Sequence, residues 1–470
     1  KTIVPEGLTS PQLSFNFTIR IVFMGAFLMK YNDTYKILTY GCQMNESDSA
    51  RMSMQLESIG YKAVDSLTDA AIILINTCCV RESAENKIYG KIGEIKHLKQ
   101  QNPSLIFGVV GCMAQKNGEQ LFHRAPHIDF VLGTNKIHEL NNVINEIKHS
   151  GHHLTDLAPA DGGVPQEVLP PSNNNFSVWV PIMYGCNNFC TYCIVPYVRG
   201  REHSRSLQSI LTEVTNYAKN GVREITLLGQ NVNSYGKDLP DTNFAKLLYE
   251  LDKITGIERI RYMTSHPRDL NDEVINVIKN GRHICTHFHL PVQHGSDRIL
   301  KAMNRGYTTT EYKTLIKKVR SAVPGCSLTT DIIVGFPGET DEDFMSMLNF
   351  LREIRYDAAY TFLYSQRSGT PAAAMAEQVP ENIKKKRLKQ LMDLQNSISL
   401  DINKTFLGKT VDVMVEGPSR TDVQVYTGRT SNNKIILWKK SGNEKPGDIV
   451  TIKITHPQTW VLKGDAQYAK

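Results

Sequence analysis

No run in this chain reaches the ~18 apolar residues that a membrane-spanning helix requires, so no transmembrane segment and no membrane partner are expected. The most apolar early stretch, Phe17 to Met29, is interrupted by Arg20. A secretory signal has that look, but export would expose to oxidation the cysteines discussed below. Charge of one sign is not in large excess either: 54 Lys and Arg against 47 Asp and Glu leave a net +7. So mild a basicity permits a nucleic-acid partner without demanding one. No internal repeat stands out. The chain does not open on Met, and residues 1–33 read as an extension or tag.

What is present is ordinary in bulk. With 41% hydrophobic and 21% charged residues, 470 residues suffice for two or three domains with real cores. The informative detail is nine cysteines, six of them in two sets of three. Thiolate metal ligands must stay unoxidised, which points to a reducing, cytoplasmic setting.

Residues 34–150 alternate strand-like runs (Tyr35–Tyr40, Ala71–Ile75, Leu105–Val110, Ile128–Leu132) with helical patterns at Ser47–Ile59 and Ser83–Lys99. That is the pattern of an α/β domain with a parallel sheet. Residues 151–176, punctuated by Gly162, Gly163, Pro165, Pro170 and Pro171, read as a linker. From 177 to 402 a second series carries six strand-like runs: Ser177–Met183, Glu224–Leu228, Arg259–Met263, His287–Pro291, Ser327–Val334 and Ala358–Leu363. Helical patterns such as Leu207–Lys219 and Thr310–Ala322 separate them, and a charged helix, Glu381–Ile402, closes the series. Six strand–helix units predict a partial (β/α)6 barrel with its chemistry on the loops after the strands' C-terminal ends. Past Gly408 the apolar residues alternate (Val411, Val413, Val415; Val423, Val425; Ile435, Leu437), with turns at Asn432-Asn433 and Pro446-Gly447. Residues 405–468 therefore read as a small β-barrel.

Cys186, Cys190 and Cys193 follow the first barrel strand at spacings of four and three, so their thiolates share one tight loop. Soft thiolates suit an iron–sulfur cluster or zinc. Three ligands rather than four leave one iron of a four-iron cluster open to a substrate, as a catalytic zinc site keeps an open position. Zinc and plain buried cysteines are the alternatives. Cys42, Cys78 and Cys112 each lie just past an expected strand of the first domain. The C-terminal ends of neighbouring parallel strands share one edge where ligands bind, so three cysteines far apart in sequence are expected to converge there. A set of structural core cysteines is the plainer alternative.

The Cys-x3-Cys-x2-Cys loop after a first strand resembles the radical S-adenosylmethionine superfamily. The resemblance implies that the open iron chelates S-adenosylmethionine and that electron transfer yields a 5′-deoxyadenosyl radical. Cys186, Cys190 and Cys193 are then catalytic as well as metal-binding, and Tyr192 matches the position beside the adenine. The second triplet extends the resemblance to the methylthiotransferase family over residues 34–466, with an amino-terminal methylthiotransferase domain at 34–150, a radical domain at 177–402 and a carboxy-terminal TRAM module at 405–468. Tyr40-Gly41-Cys42-Gln43-Met44-Asn45, the segment Asn76 to Glu82 and the segment Ile194 to Glu202 are similar to the branch acting on isopentenyladenosine in tRNA.

That branch implies two [4Fe–4S] clusters and conversion of N6-isopentenyladenosine, at position 37 of tRNA, to its 2-methylthio form. It implies two uses of S-adenosylmethionine. One methylates a sulfur held at the cluster of Cys42, Cys78 and Cys112, and one at the loop cluster yields the radical that attacks C2. An electron donor such as flavodoxin or ferredoxin, a tRNA partner and a monomer are expected. Cys79 stands where the branch has Ser and reads as a small buried residue rather than a spare ligand. His294 replaces a usual Ser and Ser368 a usual Pro, which touches only the substrate side. The same chemistry on threonylcarbamoyl-adenosine or on a ribosomal-protein aspartate is the competing reading. A non-catalytic iron–sulfur RNA-binding protein and a zinc-binding structural protein are the readings from other classes.

Further residues follow the barrel strands: Gln230 and Asn231 the second, Ser265 and His266 the third, Gln293 the fourth, and Asp331 and Gly335 the fifth. All should face the cofactor, and the glycine lets backbone approach a ligand closely. His266 is also a possible proton carrier. Arg199, Arg201 and Arg205 beside the loop suit RNA phosphates, against local pairing with Glu202. Arg420, Arg429 and Lys434 on the small barrel are expected to bind RNA as well. Lys384, Lys385, Lys386, Arg387 and Lys389 read as a solvated helix face, and Cys285 and Cys326 as core.

Overall fold

The computed structural model describes residues 33–78, 82–151, 153–157, 176–440 and 442–467. The expected extension, most of the expected linker and Cys79 lie outside the described residues. The chain divides into two compact units. The first comprises the described residues of 33–41, 48–78 and 83–157, and the short stretch Cys42–Ser47 groups with the second.

In the first unit β1 (Thr34–Thr39), β2 (Lys62–Ala63), β3 (Ile72–Thr77), β4 (Ile106–Gly111), β5 (Phe130–Leu132) and β6 (Leu154–Asp156) form one parallel sheet in the order β2-β1-β3-β4-β5-β6. Every residue of β3 and β4 is buried, as expected of a parallel sheet covered on both faces. Alternation along each strand divides the core. Ile72, Leu74, Phe130 and Leu132 pack with Met52 and Leu56 of the helix Gln43–Ser58 and with Val143, Ile144 and Ile147 of the helix Leu140–Ser150. Ile73, Ile75, Phe107 and Val109 pack on the other face with Ile88, Ile92 and Ile95 of the helix Glu82–Gln101. The short strand β6 falls in the stretch read as linker. Its three half-buried residues are too few to display a period.

The second unit contains β7 (Ser177–Pro181), β8 (Met183–Tyr184), β9 (His203–Ser204), β10 (Glu224–Leu228), β11 (Arg259–Tyr262), β12 (His287–His289), β13 (Ser327–Val334) and β14 (Ala358–Leu363). Six of these form two parallel three-stranded sheets, β11-β10-β7 and β12-β13-β14, joined by a parallel bridge between Ile260 and Ile284. This is the expected partial barrel. Val180, Ile225, Leu227, Ile260, Phe288, Leu328 and Ile332 belong to one core with residues of the surrounding helices. Local sequence starts those helices: Thr308 and Glu311 form a capping box at the helix Thr309–Ala322. The helix Glu381–Lys404 joins the same core through Leu391 and Ile398.

The last five strands, β15 (Thr410–Pro418), β16 (Val425–Arg429), β17 (Ile435–Lys439), β18 (Ile449–Pro457) and β19 (Leu462–Ala466), close into a barrel filled by Val413, Val415, Trp438, Ile452, Ile454 and Leu462. Strand β11 ties it down. Arg259 donates to the carbonyls of Arg429 and Asp412, and Arg261 to that of Thr430 (3.1 Å) while pairing with Glu224 at 2.7 Å. Among the described residues no helix is long and apolar enough to cross a membrane.

Candidate active site

Strands β8 and β9 pair antiparallel, Met183 opposite Ser204 and Tyr184 opposite His203. The loop between them carries Cys186, Cys190 and Cys193. Gly185 opens it at φ +72°, and a Cβ there would overlap the carbonyl oxygen of Arg201, so only glycine lets the two arms lie this close. The Cys186 N–H donates to the Gly200 carbonyl (3.0 Å) and the Cys193 N–H to that of Cys190 (2.9 Å). Thr191 fastens the loop tip, its N–H donating to Met303 O (3.1 Å) and its hydroxyl to Ala302 O (2.9 Å). Arg268 donates to Asn188 Oδ1 (2.6 Å), and Asn304 Nδ2 to Phe189 O (3.1 Å).

Cys186 and Cys190 are buried and Cys193 is half-buried. Two donors point at sulfur: Asn188 Nδ2 lies 3.5 Å from Cys186 Sγ and Arg305 Nη1 lies 3.3 Å from Cys190 Sγ. Burial pushes the Cys186 thiol up to about 11 and the Cys193 thiol up to about 12. These two thiols, when bare, hold their protons at neutral pH, and a metal must displace them. Among the described residues no three His, Cys, Asp or Glu side chains crowd closely enough to hold one metal ion. Zinc requires its sulfurs all about 2.3 Å from one point, whereas a four-iron cluster spreads its thiolates over separate corners. Two buried thiols and one half-buried thiol share one loop, and two of the three are met by donors, a donor set that suits a four-iron cluster. A polar cavity of about 190 Å³ next to the loop, lined by Asn187, Asn188, Glu202, Lys237, Arg268 and Asp269 among others, includes none of the cysteines.

The loops after the strands supply the rest of the site. Tyr192 packs against an apolar group that includes Met303, Ile333, Phe336 and Tyr364. Gln230 is half-buried after β10. Asn231 ties two loops together: its Oδ1 accepts from the His266 N–H (2.9 Å) and its Nδ2 donates to Asp269 (2.6 Å). Ser265 donates to Asn233 Oδ1 (3.1 Å). Gln293 takes a left-handed φ of +71°, donates its N–H to Asp331 O and accepts from the Ile333 N–H, both at 2.9 Å, so the ends of the fourth and fifth strands meet there. The Asp331 carboxylate lies 3.6 Å from His289 Nε2. Asn233 Nδ2, His266 Nε2 and the Tyr364 hydroxyl are buried without a partner among the described residues. Buried polar groups are rarely left so, and these three, on loops after β10, β11 and β14, fit a polar ligand at the barrel mouth.

Several expected roles change. His266 is no cationic proton carrier, because burial and then the Arg305 guanidinium push it down to about 2. At Gly335, whose φ is +75°, a Cβ would overlap the stem of Lys384, so the fold itself also calls for glycine there. Arg205 is fully buried, 2.5 Å from Glu213 and donating to Pro181 O (2.8 Å), and cannot meet a phosphate. Lys434 is buried and paired with Asp357 at 2.6 Å. Arg199 is buried, and Arg429 is half-buried and paired with Glu416 at 2.7 Å. Arg201 and Arg420 are exposed, as an RNA contact requires. The expected solvated face is split: Lys385 and Lys389 are exposed, whereas Arg387 is buried against Glu339 (2.8 Å). Cys285 is buried and Cys326 packs at the core's edge. Arg268, Asn304 and Arg305, which brace the cysteine loop, escaped sequence reasoning because they lie at least eighty positions from the loop residues they bond and carry no local motif.

In the first unit Cys78 directly follows β3, and Cys112, directly after β4, starts the short helix Cys112–Asn117. The Thr77 hydroxyl donates to Val110 O (2.6 Å) and accepts from the Met113 N–H (3.2 Å), binding the two strand ends together. Cys42, in the short stretch that groups with the second unit, lies between β1 and the helix Gln43–Ser58, and its carbonyl accepts from the Asn45 N–H (2.9 Å). Strands β1, β3 and β4 are neighbours in the sheet.

Three family models match the chain: the Radical SAM superfamily over residues 180–351, Uncharacterized protein family UPF0004 over 34–133 and the TRAM domain over 404–466. Two solved structures of the radical S-adenosylmethionine methyltransferase TsrM from Kitasatospora setae share the fold. The form with tryptophan and an S-adenosylmethionine analogue has a TM-score of 0.57 at 13% identity, covering 83% of this chain and 79% of that one. The form with cobalamin and a [4Fe-4S] cluster has a TM-score of 0.55 at 15% identity, covering 73% and 74%. Fold and cysteine loop together define a radical S-adenosylmethionine half barrel, in one chain with an α/β sheet unit and a TRAM barrel.

Relatives named tRNA-2-methylthio-N(6)-dimethylallyladenosine synthase sharpen this. The one from Carboxydothermus hydrogenoformans is 49% identical over 435 residues, 92% of this chain and 98% of its own length. The one from Moorella thermoacetica is 49% identical over 441 residues, 93% and 99%, and that from Acetivibrio thermocellus 48% identical over 433 residues, 92% and 90%. The chain belongs to the tRNA-2-methylthio-N(6)-dimethylallyladenosine synthase family.

Proposed function

We propose that the protein is a radical S-adenosylmethionine tRNA methylthiotransferase that converts N6-isopentenyladenosine (the dimethylallyladenosine of its relatives' name) next to the anticodon into its 2-methylthio form. The observation that carries this reading is the Cys186–Cys193 loop at the mouth of a parallel half barrel, in a chain whose relatives match over nine-tenths of its length. Cys186, Cys190 and Cys193 hold one [4Fe–4S] cluster. Cys42, Cys78 and Cys112, following three neighbouring strands, hold a second. The bound clusters and S-adenosylmethionine supply one-electron chemistry that no acid–base group can replace, because the aromatic C2–H bond is strong and not acidic.

The chain's own residues bind, orient and exclude water. Tyr192, Phe336 and Tyr364 form an apolar wall for the adenine end of the cofactor. The unpartnered Asn233 Nδ2 and neutral His266 face its polar end. Gln230, Asn231, Ser265, Gln293 and Asp331 shape the same loops. Arg201, stacked 4.4 Å over Phe189, and Arg420 contact the RNA backbone. Residues 34–150, 177–402 and 405–468 act as three functional domains in a cytoplasmic monomer, reduced by a low-potential donor of the flavodoxin or ferredoxin class.

The test is product analysis. Anaerobically reconstituted protein is given isopentenylated tRNA, S-adenosylmethionine and a reductant, and nucleosides are read by mass spectrometry. The 2-methylthio nucleoside and 5′-deoxyadenosine are both expected. Cofactor cleavage with no methylthiolated tRNA would sink the tRNA assignment and favour another acceptor.

A further inference from the structure

Arg305 is only 4% exposed. Its guanidinium is met by neutral groups and one sulfur: Nε donates to the Tyr307 hydroxyl (3.1 Å), Nη2 to Pro291 O (2.7 Å) and Nη1 to Cys190 Sγ (3.3 Å). Its carbon also lies 5.4 Å from the Tyr307 ring centre. Among the described residues no Asp or Glu forms an ion pair with it. The hydrogen bonds are satisfied but the charge is not. An arginine does not shed its proton, and an uncompensated buried charge is strongly destabilising. The group in direct contact that becomes anionic on binding metal is Cys190.

We propose that Arg305 is the built-in counter-charge of the loop cluster, hydrogen-bonding the Cys190 thiolate and making the cluster easier to reduce. The proposal rests on the reading that the loop holds a [4Fe–4S] cluster. A 2+ core with three thiolates has a net charge of −1. One electron from a low-potential one-electron donor brings the core to 1+ and the net charge to −2, with no bond or proton exchanged. A fixed guanidinium favours the more negative state, and hydrogen bonds to sulfur and local charge are the levers by which a protein sets cluster potentials. A purely mechanical role is the competing account, since Arg305 also anchors the segment Pro291–Val292. That anchoring is duplicated: the Tyr307 hydroxyl donates to Val292 O at 2.9 Å.

The experiment is a potentiometric titration of the reduced-cluster paramagnetic signal in the full chain without S-adenosylmethionine. It is run in the natural sequence and in a Cys42→Ala, Cys78→Ala, Cys112→Ala background that leaves only the loop triplet. Arg305→Gln and Arg305→Met should each lower the reduced-to-oxidised ratio at fixed potential at least tenfold, about 59 mV for a one-electron couple. Arg305→Lys, which keeps the charge, should shift it less. A neutral variant with full iron content and an unshifted potential overturns the proposal. If both neutral variants lose iron while Arg305→Lys keeps it, the charge requirement stands. Loss of iron in all three, lysine included, makes the anchoring fork the essential feature and also overturns it. Absence of iron from the unsubstituted loop would instead remove the cluster reading itself.

Discussion

His266 packs edge-on against Tyr307, ring centres 5.6 Å apart, and its Nδ1 accepts from the Arg268 N–H. Burial first, and the nearby Arg305 second, push its imidazolium down to about 2. An unfolded histidine titrates near 6.5. Below that pH the unfolded chain binds a proton that the folded chain refuses. The stability at stake is therefore fully present above 6.5 and is lost as pH falls toward 2. His266→Gln removes this dependence. Between pH 7 and 5.5 the natural protein should lose on the order of 1 kcal/mol more stability than the variant, read from urea unfolding at the two values. Equal losses would mean that His266 is protonated in the fold. The arginines show why side-chain fate was hard to read locally. Arg201 and Arg205 are four positions apart, yet one is exposed and the other fully buried. Glu213, on the helix Leu207–Lys219, makes the difference by pairing with Arg205.

At the scale of elements, the helix Glu381–Lys404 is a brace for the loop after β13. Lys384 and Arg387 are three positions apart and share a helix face. The stem of Lys384 covers Gly335, and its ammonium donates to Tyr364 O (3.1 Å). Arg387 pairs with Glu339, whose other oxygen accepts from the Gly335 N–H (2.7 Å) and lies 3.4 Å from His294 Nε2. Gly335→Ala forces an L side chain into a left-handed backbone, costing about 1–2 kcal/mol, and overpacks the Lys384 stem, costing about 1–3 kcal/mol more. Adding Lys384→Ser should recover the packing part but not the backbone part, as read from thermal melting. An unrelieved loss would place the whole effect in the backbone. The charged run 384–389 looked uniformly solvated because hydrophobic periodicity says nothing about a buried ion pair. The two-residue strands β8 and β9, which frame the cysteine loop, are likewise too short to show a period.

For the whole molecule, the central question is division of labour between the two cysteine triplets. With Cys112→Ala, iron should fall from about eight to about four atoms per chain. The loop cluster should still cleave S-adenosylmethionine to 5′-deoxyadenosine while methylthiolation of tRNA stops. Normal 2-methylthio product from that variant would refute the assigned roles.

The sequence by itself determined the partial barrel, the parallel sheet, the small β-barrel and both cysteine sets, because strand and helix periods and ligand spacing are properties of neighbouring residues. The family followed from motifs that are equally local. Only the tertiary structure decided which polar residues serve the site. Arg305 meets Cys190 across 115 positions, Lys434 meets Asp357 from a different barrel, and Arg387 turns inward to Glu339. A buried charge is placed by the partner that compensates it, and that partner arrives from elsewhere in the chain only when the fold closes.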